Sequence, residues 1–195
     1  VLGIGAVKNS FNKSEGIKVE YVDPADLVYS YSDSPYFDDI YYVGEVKEIY
    51  VNELKKEFPY LTDEDISEYI ESSNSHKKNN NTAKKENDKN SVSVLYFEYK
   101  TYMSEVHKIK KTASGGSKAI KKNSSFNPPK NEDYEKIERV IEVVYEGAKI
   151  VGSGSERILK WELKKNMIRP KADTTKAVMS YCICAPRMYE GRIES

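Results

Sequence analysis

Ile40-Tyr41-Tyr42-Val43-Gly44-Glu45-Val46-Lys47-Glu48-Ile49-Tyr50-Val51, followed at once by Asn52-Glu53-Leu54-Lys55-Lys56-Glu57-Phe58-Pro59, decides the fold class. Side chains alternate across an extended strand, so Ile40, Tyr42 and Val46 fall on one side and Tyr41, Val43 and Ile49 on the other. A strand that is apolar on both sides is expected to be buried on both faces or to meet a neighbour. Asn52 is the predicted cap of a short helix, Glu53 to Phe58, which stops before Pro59 because the residue ahead of a proline avoids helical geometry. A second helix is predicted from Thr62-Asp63-Glu64-Asp65. Thr62 takes the N-cap, Asp65 stands three residues on, and acids fill the first turn, where the helix dipole favours them. Ile66, Tyr69 and Ile70 then form one apolar stripe.

Upstream, the pattern is a hairpin. Leu2 to Phe11 is the first strand, Lys13-Ser14-Glu15-Gly16 the turn, and Ile17 to Val22 the return strand with period-two alternation. Asp23-Pro24 ends it, since proline donates nothing to a ladder and Asp caps a turn. Leu27 to Tyr31 reads as a short strand, and Ser32-Asp33-Ser34-Pro35 as an exposed loop.

Downstream, residues 72–90 are Ser, Asn, Lys, Glu, Asp and their like, with Ala83 the one apolar member, which predicts a disordered insertion. Val92 to Ile109 is a long predicted strand with Leu95, Phe97, Tyr99 and Met103 on one face. The segment 112–131, holding Gly115-Gly116 and Pro128-Pro129, is predicted to be a flexible basic loop. Over 137–151 the spacing allows a helix, but the β-branched density of Val140-Ile141-Glu142-Val143-Val144-Tyr145 favours a strand, with a turn expected at Gly147-Ala148-Lys149 leading into Ile150-Val151. Ile158 to Leu163 and Ala177 to Ala185 supply two more strands. The expected core is a sheet built around Tyr42, Val46, Leu95, Phe97 and Val143. The fold class is α+β and mostly β: antiparallel sheets, two short helices, long insertions. Residues 1–195 form a single region interrupted by 72–90 and 112–131, and the start on Val1 inside an apolar run predicts a piece of a longer chain.

Charge is balanced overall but segregated. Between Val19 and Glu71 there are 15 acidic residues against 3 lysines, a net of −12. Between Val106 and Asn131 there are seven lysines and no acid. Lys108, Lys110, Lys111, Lys118, Lys121 and Lys122 are therefore the candidates for contact with a neighbouring subunit or with DNA; a solvated surface is the plainer reading. The 16 tyrosines suit half-buried strands and interfaces.

Catalytic signals are absent from the sequence. Gly3-Ile4-Gly5 lacks the third glycine of a dinucleotide loop, and Gly152-Ser153-Gly154-Ser155 lacks the Lys-Ser/Thr of a phosphate-binding loop; a tight bend is expected there. Asp23, Asp26, Asp38 and Asp39 could pair for acid–base work or bind a cation, but each sits at a turn, where capping backbone donors is the plainer reading. Cys182 and Cys184, with the distant His76 and His107, make no metal-ligand set, and buried free thiols are expected. Trp161 reads as a core or interface anchor. Asn80-Asn81-Thr82 matches a glycosylation sequon, but no basic-plus-apolar leader opens the sequence and no run reaches the ~20 apolar residues of a membrane span. The expectation is a protein that is not an enzyme and needs no cofactor.

Three stretches together resemble a known family. They are Ile17 to Ser30, Tyr41 to Lys56, and Pro186 to Ser195. Their succession, strand, Asp-Pro, strand, acidic turn, strand and a short helix before proline, is similar to the wing region of the portal proteins of tailed phages, above all those of crAss-like phages. The late proline-bearing strand, followed by Gly191-Arg192 and an expected helix, is similar too. The resemblance implies a structural subunit of the virion, assembled in the bacterial host cytoplasm. It implies a dodecameric homo-oligomeric ring at the capsid vertex, through which DNA is packaged and ejected, with capsid, packaging motor and tail proteins as partners. Portal subunits are far longer, so only the wing part is expected in residues 1–195, and no channel-lining residue carries over. The alternative is a basic nucleic-acid-binding module using the lysines of 108–122.

Overall fold

The computed structural model describes residues 3–70, 90–123, 125–126, 134–151, 158–189 and 192–193. Its strands are β1 (Gly5–Asn12), β2 (Gly16–Val22), β3 (Leu27–Tyr29), β4 (Tyr42–Tyr50), β5 (Ser91–Lys111), β6 (Ser117–Lys122), β7 (Tyr134–Ile150), β8 (Ile158–Leu163), β9 (Tyr181–Cys184), β10 (Met188–Tyr189) and β11 (Arg192–Ile193). Two short helices, α1 (Val51–Glu57) and α2 (63–70), follow β4. The class is α+β, mostly β, and the assigned strand registers are antiparallel. The predicted insertion at 72–90 lies outside the described residues apart from Asn90, as do His76, Asn80-Asn81-Thr82 and 152–155.

The chain forms two compact units. The first holds Val1–Tyr99, Tyr145–Leu163 and Met179–Ser195; the second holds Lys100–Val144 and Lys164–Val178. One sheet runs β2-β1-β9, and the larger one runs β3-β4-β5-β7-β8 with β6 beside β5. In the first unit, β1 and β2 make the expected hairpin, with Gly16 at φ +78° where a side chain would be strained. Asp23 ends it by accepting the Ala25 amide at 2.9 Å. The helices cover one face of the larger sheet: Leu54, Phe58, Leu61, Ile66 and Tyr69 pack on Val92, Val94, Ala148, Ile150 and Leu159.

This core corrects the expected one. Val92 and Val94 are 0% exposed, whereas Tyr42, Val46, Leu95 and Phe97 are only half-buried on the opposite face. Both helices follow β4 and fold to the same side, so β5 buries Val92 and Val94, and a period of two turns Leu95 and Phe97 away. Val143 is buried, but in the second unit. Phe97 has its own seat. A Cβ on Gly147 would lie 2.5 Å from its ring, and one on Gly44, its cross-strand partner, 2.9 Å from its Cβ. Trp161 packs on Phe97 at 5.6 Å and stacks on Tyr145 at 5.3 Å, yet stays 49% exposed.

Capping differs between the helices. Thr62 and Asp65 form the predicted reciprocal cap: the Asp65 carboxylate accepts the Thr62 amide at 3.1 Å, and Thr62 Oγ1 accepts the Asp65 amide at 3.2 Å. Asn52, however, lies inside α1; Tyr50 is the N-cap and makes no side-chain cap bond. The Val51 amide instead donates to the Asn90 carbonyl at 3.0 Å, so a backbone partner replaces the side-chain cap.

In the second unit, part of the segment read as a flexible loop is ordered strand. Lys108↔Ile120 and Lys110↔Lys118 are among the pairs that join β6 to β5. The turn between them closes when the Thr112 amide donates to the Gly116 carbonyl at 2.7 Å, with Gly115 at φ +82°. Residues 124 and 127–131 lie outside the described residues. Arg169 pins the 164–178 segment to β7: it donates to the Glu142 carbonyl at 2.8 Å and to the carbonyls of Thr174, Thr175 and Lys176. The cysteine expectation is also corrected. Cys182 and Cys184 are free but exposed, because alternation along β9 turns Tyr181 and Ile183 inward instead.

Candidate functional site

Register sorts the six candidate lysines. Cross-strand partners share a face, so the pairs Val106↔Lys122, Lys108↔Ile120 and Lys110↔Lys118 gather Lys108, Lys110, Lys118 and Lys122 on one face of the β5–β6 ribbon. The pairs His107↔Lys121 and Lys111↔Ser117 turn Lys111 and Lys121 to the other. Lys110 and Lys118 stand directly opposite one another and are exposed, an arrangement that like charges oppose. Lys122 lies 5.4 Å from the centre of the Phe126 ring. Further along, Glu138 accepts from Ser104 at 2.7 Å and pairs with Lys136 at 3.7 Å.

The far face is held by one carboxylate that sequence reasoning missed. Glu105 is buried and receives Lys121 at 2.5 Å, Arg139 at 3.0 Å and His107 at 3.5 Å. The hydrogen bond from Lys121 above all, helped by those from Arg139 and His107, holds its carboxyl down at about 2 against the upward pull of burial. Lys121 is thus committed to an intramolecular pair. The signal was present in the sequence: Glu105 is the last acid before the basic run, two residues from His107 on the same strand face.

A second polar group lies in the first unit. Glu45 is buried and pairs with Lys8 at 2.9 Å and Lys47 at 3.0 Å, while Tyr181 donates to it at 3.2 Å. Burial raises its carboxyl, and the two ammonium groups more than offset that, so it lies below the ordinary carboxylate range. Burial first, then Glu45, pushes the Tyr181 hydroxyl far upward. This group has the form of a compensated ion cluster: each charge has a partner, and Tyr181 stays protonated at neutral pH. Its neighbour Glu98, also buried, accepts the Ser180 amide at 2.8 Å.

Of the carboxylates Asp23, Asp26, Asp38 and Asp39, Asp39 accepts the Asp33 amide at 3.0 Å and the Ser32 hydroxyl, closing the loop before β4, as Asp23 closes the turn after β2. Among the described residues, three or more His, Cys, Asp or Glu side chains do not come together in a way that could hold a metal ion. Among the described residues, no helix is long and apolar enough to cross a membrane.

A scan against models of known protein families finds no match, and a search of curated proteins finds no significant relative. One further surface feature among the described residues is apolar. Phe11, Ile17, Val19 and Tyr21 lie along one face of the β1–β2 hairpin, with Phe11 directly opposite Ile17, and are between 61% and 79% exposed.

Proposed function

We propose that the chain is a structural, non-catalytic part of a phage portal, the wing of a subunit in the ring at the capsid vertex. The observation that carries the reading is the order of elements over 16–59. β2, Asp23-Pro24, β3, the loop rich in Asp33, Asp38 and Asp39, β4, α1 and then Pro59 follow one another as the resemblance requires. After Pro186 come the two short strands β10 and β11, paired Met188↔Ile193 and Tyr189↔Arg192; the helix that the resemblance implies after Gly191-Arg192 lies outside the described residues.

Two surface properties support an assembly role. The exposed apolar row on β1–β2 is larger than scattered surface residues explain, which is the usual mark of a partner-covered face. The segregated charge, −12 over 19–71 against seven lysines over 106–131, gives neighbouring copies opposite surfaces to orient by. In a ring each subunit presents one side to the next, a heterologous contact that closes. The test is negative-stain electron microscopy of the full-length protein. A closed ring whose assembly weakens as salt rises is the expected result. A particle that stays monomeric at every concentration and ionic strength overturns the reading.

A further inference from the structure

We infer that the β5–β6 ribbon is a binding site for the phosphate backbone of double-stranded DNA, engaged through the face that carries Lys108, Lys110, Lys118 and Lys122. The inference goes beyond the portal reading and stands without it, because it rests on the register of one hairpin.

The ribbon's register puts its cost and its purpose at the same place. Lys110 directly faces Lys118, and like charges in that position destabilise a sheet. Oppositely charged or apolar partners would be better for the hairpin alone, as the neighbouring Ile109↔Ala119 pair illustrates. An anion placed over the face removes the repulsion. The two faces also differ in kind. On the far side Lys121 is neutralised by Glu105. No acidic residue occurs from Val106 to Asn131, so neither strand of the ribbon supplies a carboxylate beside Lys110 and Lys118.

Spacing selects the anion. Alternate residues of a strand are about 6.8 Å apart, which is the rise of two base pairs along a duplex. Lys108 and Lys110 on β5 stand one such step apart, and Lys118 and Lys122 on β6 two steps apart with Ile120 between them, spacings commensurate with a phosphate backbone. Ile120 lies in the same face between the lysines and is partly exposed, giving the ribbon an apolar contact with sugar or base edges. Lysine ammonium groups on flexible stems make point-charge contacts, so binding is expected to be salt-sensitive and indifferent to sequence.

Fluorescence anisotropy of the full chain with a labelled 30-base-pair duplex, titrated across a salt series, tests this. Each phosphate contact contributes a slope of about −0.9 in log K against log salt. The double variant Lys110→Glu/Lys118→Glu is expected to bind at least about tenfold more weakly near 0.1 M salt, and to lose about two units of slope. Lys110→Gln/Lys118→Gln should lose a smaller share, and Lys111→Glu, on the opposite face, less than about twofold. An unchanged far-UV spectrum and melting curve show that each variant is folded. Equal losses from Lys111→Glu and from Lys110→Glu/Lys118→Glu overturn the proposal, since charge would then act without regard to face. Binding of the unaltered chain that does not change with salt overturns it as well. So does tight binding to vesicles rich in phosphatidylserine with none to the duplex. A ring seen by microscopy with the double variant, together with lost DNA binding, separates this inference from the assembly reading.

Discussion

Glu105 is the residue on which the second unit depends most visibly. Three cationic or protonatable side chains from β5, β6 and β7 converge on its carboxylate, and it is buried among them. Its carboxyl sits at about 2 in the folded chain against an ordinary 4.5. A depressed folded value means that the unfolded chain takes up a proton first as acid is added. The contribution of Glu105 is therefore complete above about pH 4.5 and is lost as pH falls toward about 2. Thermal melts across that window should show a steep fall in midpoint, and Glu105→Gln should flatten the portion due to this residue. Equal slopes in the two proteins would mean that the cluster contributes nothing. Glu105 was legible only in part. Its position ahead of a basic run is a sequence fact, but its convergence with Arg139 depends on strand pairing that no local pattern encodes.

At the scale of elements, the strands with a strong apolar pattern are legible and their facing is not. Ile17 to Val22 and 158–163 are strands near the expected bounds, and β7 is a strand too, but it runs through Gly147-Ala148-Lys149, where a turn is expected, because pairing with β8 continues across them. Thr62 and Asp65 met as the capping box requires because both partners lie within one turn. The inside of β5 was misassigned because Val92-Ser93-Val94-Leu95-Tyr96-Phe97 is apolar on both sides, so the covering helices decide. β6 is not legible for the opposite reason: Ser117 to Lys122 has little hydrophobic alternation and owes its strand to pairing with β5. The seat of Phe97 gives a sharp test of element packing. Gly147→Ala places a methyl group 2.5 Å from the Phe97 ring and 2.8 Å from the Lys160 carbonyl, so β7 or β8 must move. Denaturant titration should show a loss of about 1–3 kcal/mol, as overpacking usually costs. Trimming the ring as well, in Gly147→Ala/Phe97→Leu, should recover part of that loss, because residues in contact do not act additively. A neutral single variant would mean that the ring swings aside freely.

For the molecule as a whole, the apolar row Phe11, Ile17, Val19 and Tyr21 is the feature that an assembly must account for. Val19→Lys adds a charge to that row while its side chain already faces water, so the fold should tolerate it to within about 0.5 kcal/mol. Gel filtration and microscopy of the full-length variant should then show folded protein with impaired ring formation; normal rings would assign the row to some other partner. Function at this scale was the least legible part of the sequence, because assembly surfaces are defined by what covers them. The hairpin that carries the row has one more consequence. β2 is the outermost strand of its sheet, pairs with β1 in unbroken register from Gly16 to Val22, and contains no proline. An outer strand of that kind can template further strands, with Lys18 and Glu20 the charges that oppose it. Kept at high concentration, the chain is expected to add strands along this margin, and light scattering over days that stays flat would show the edge to be protected.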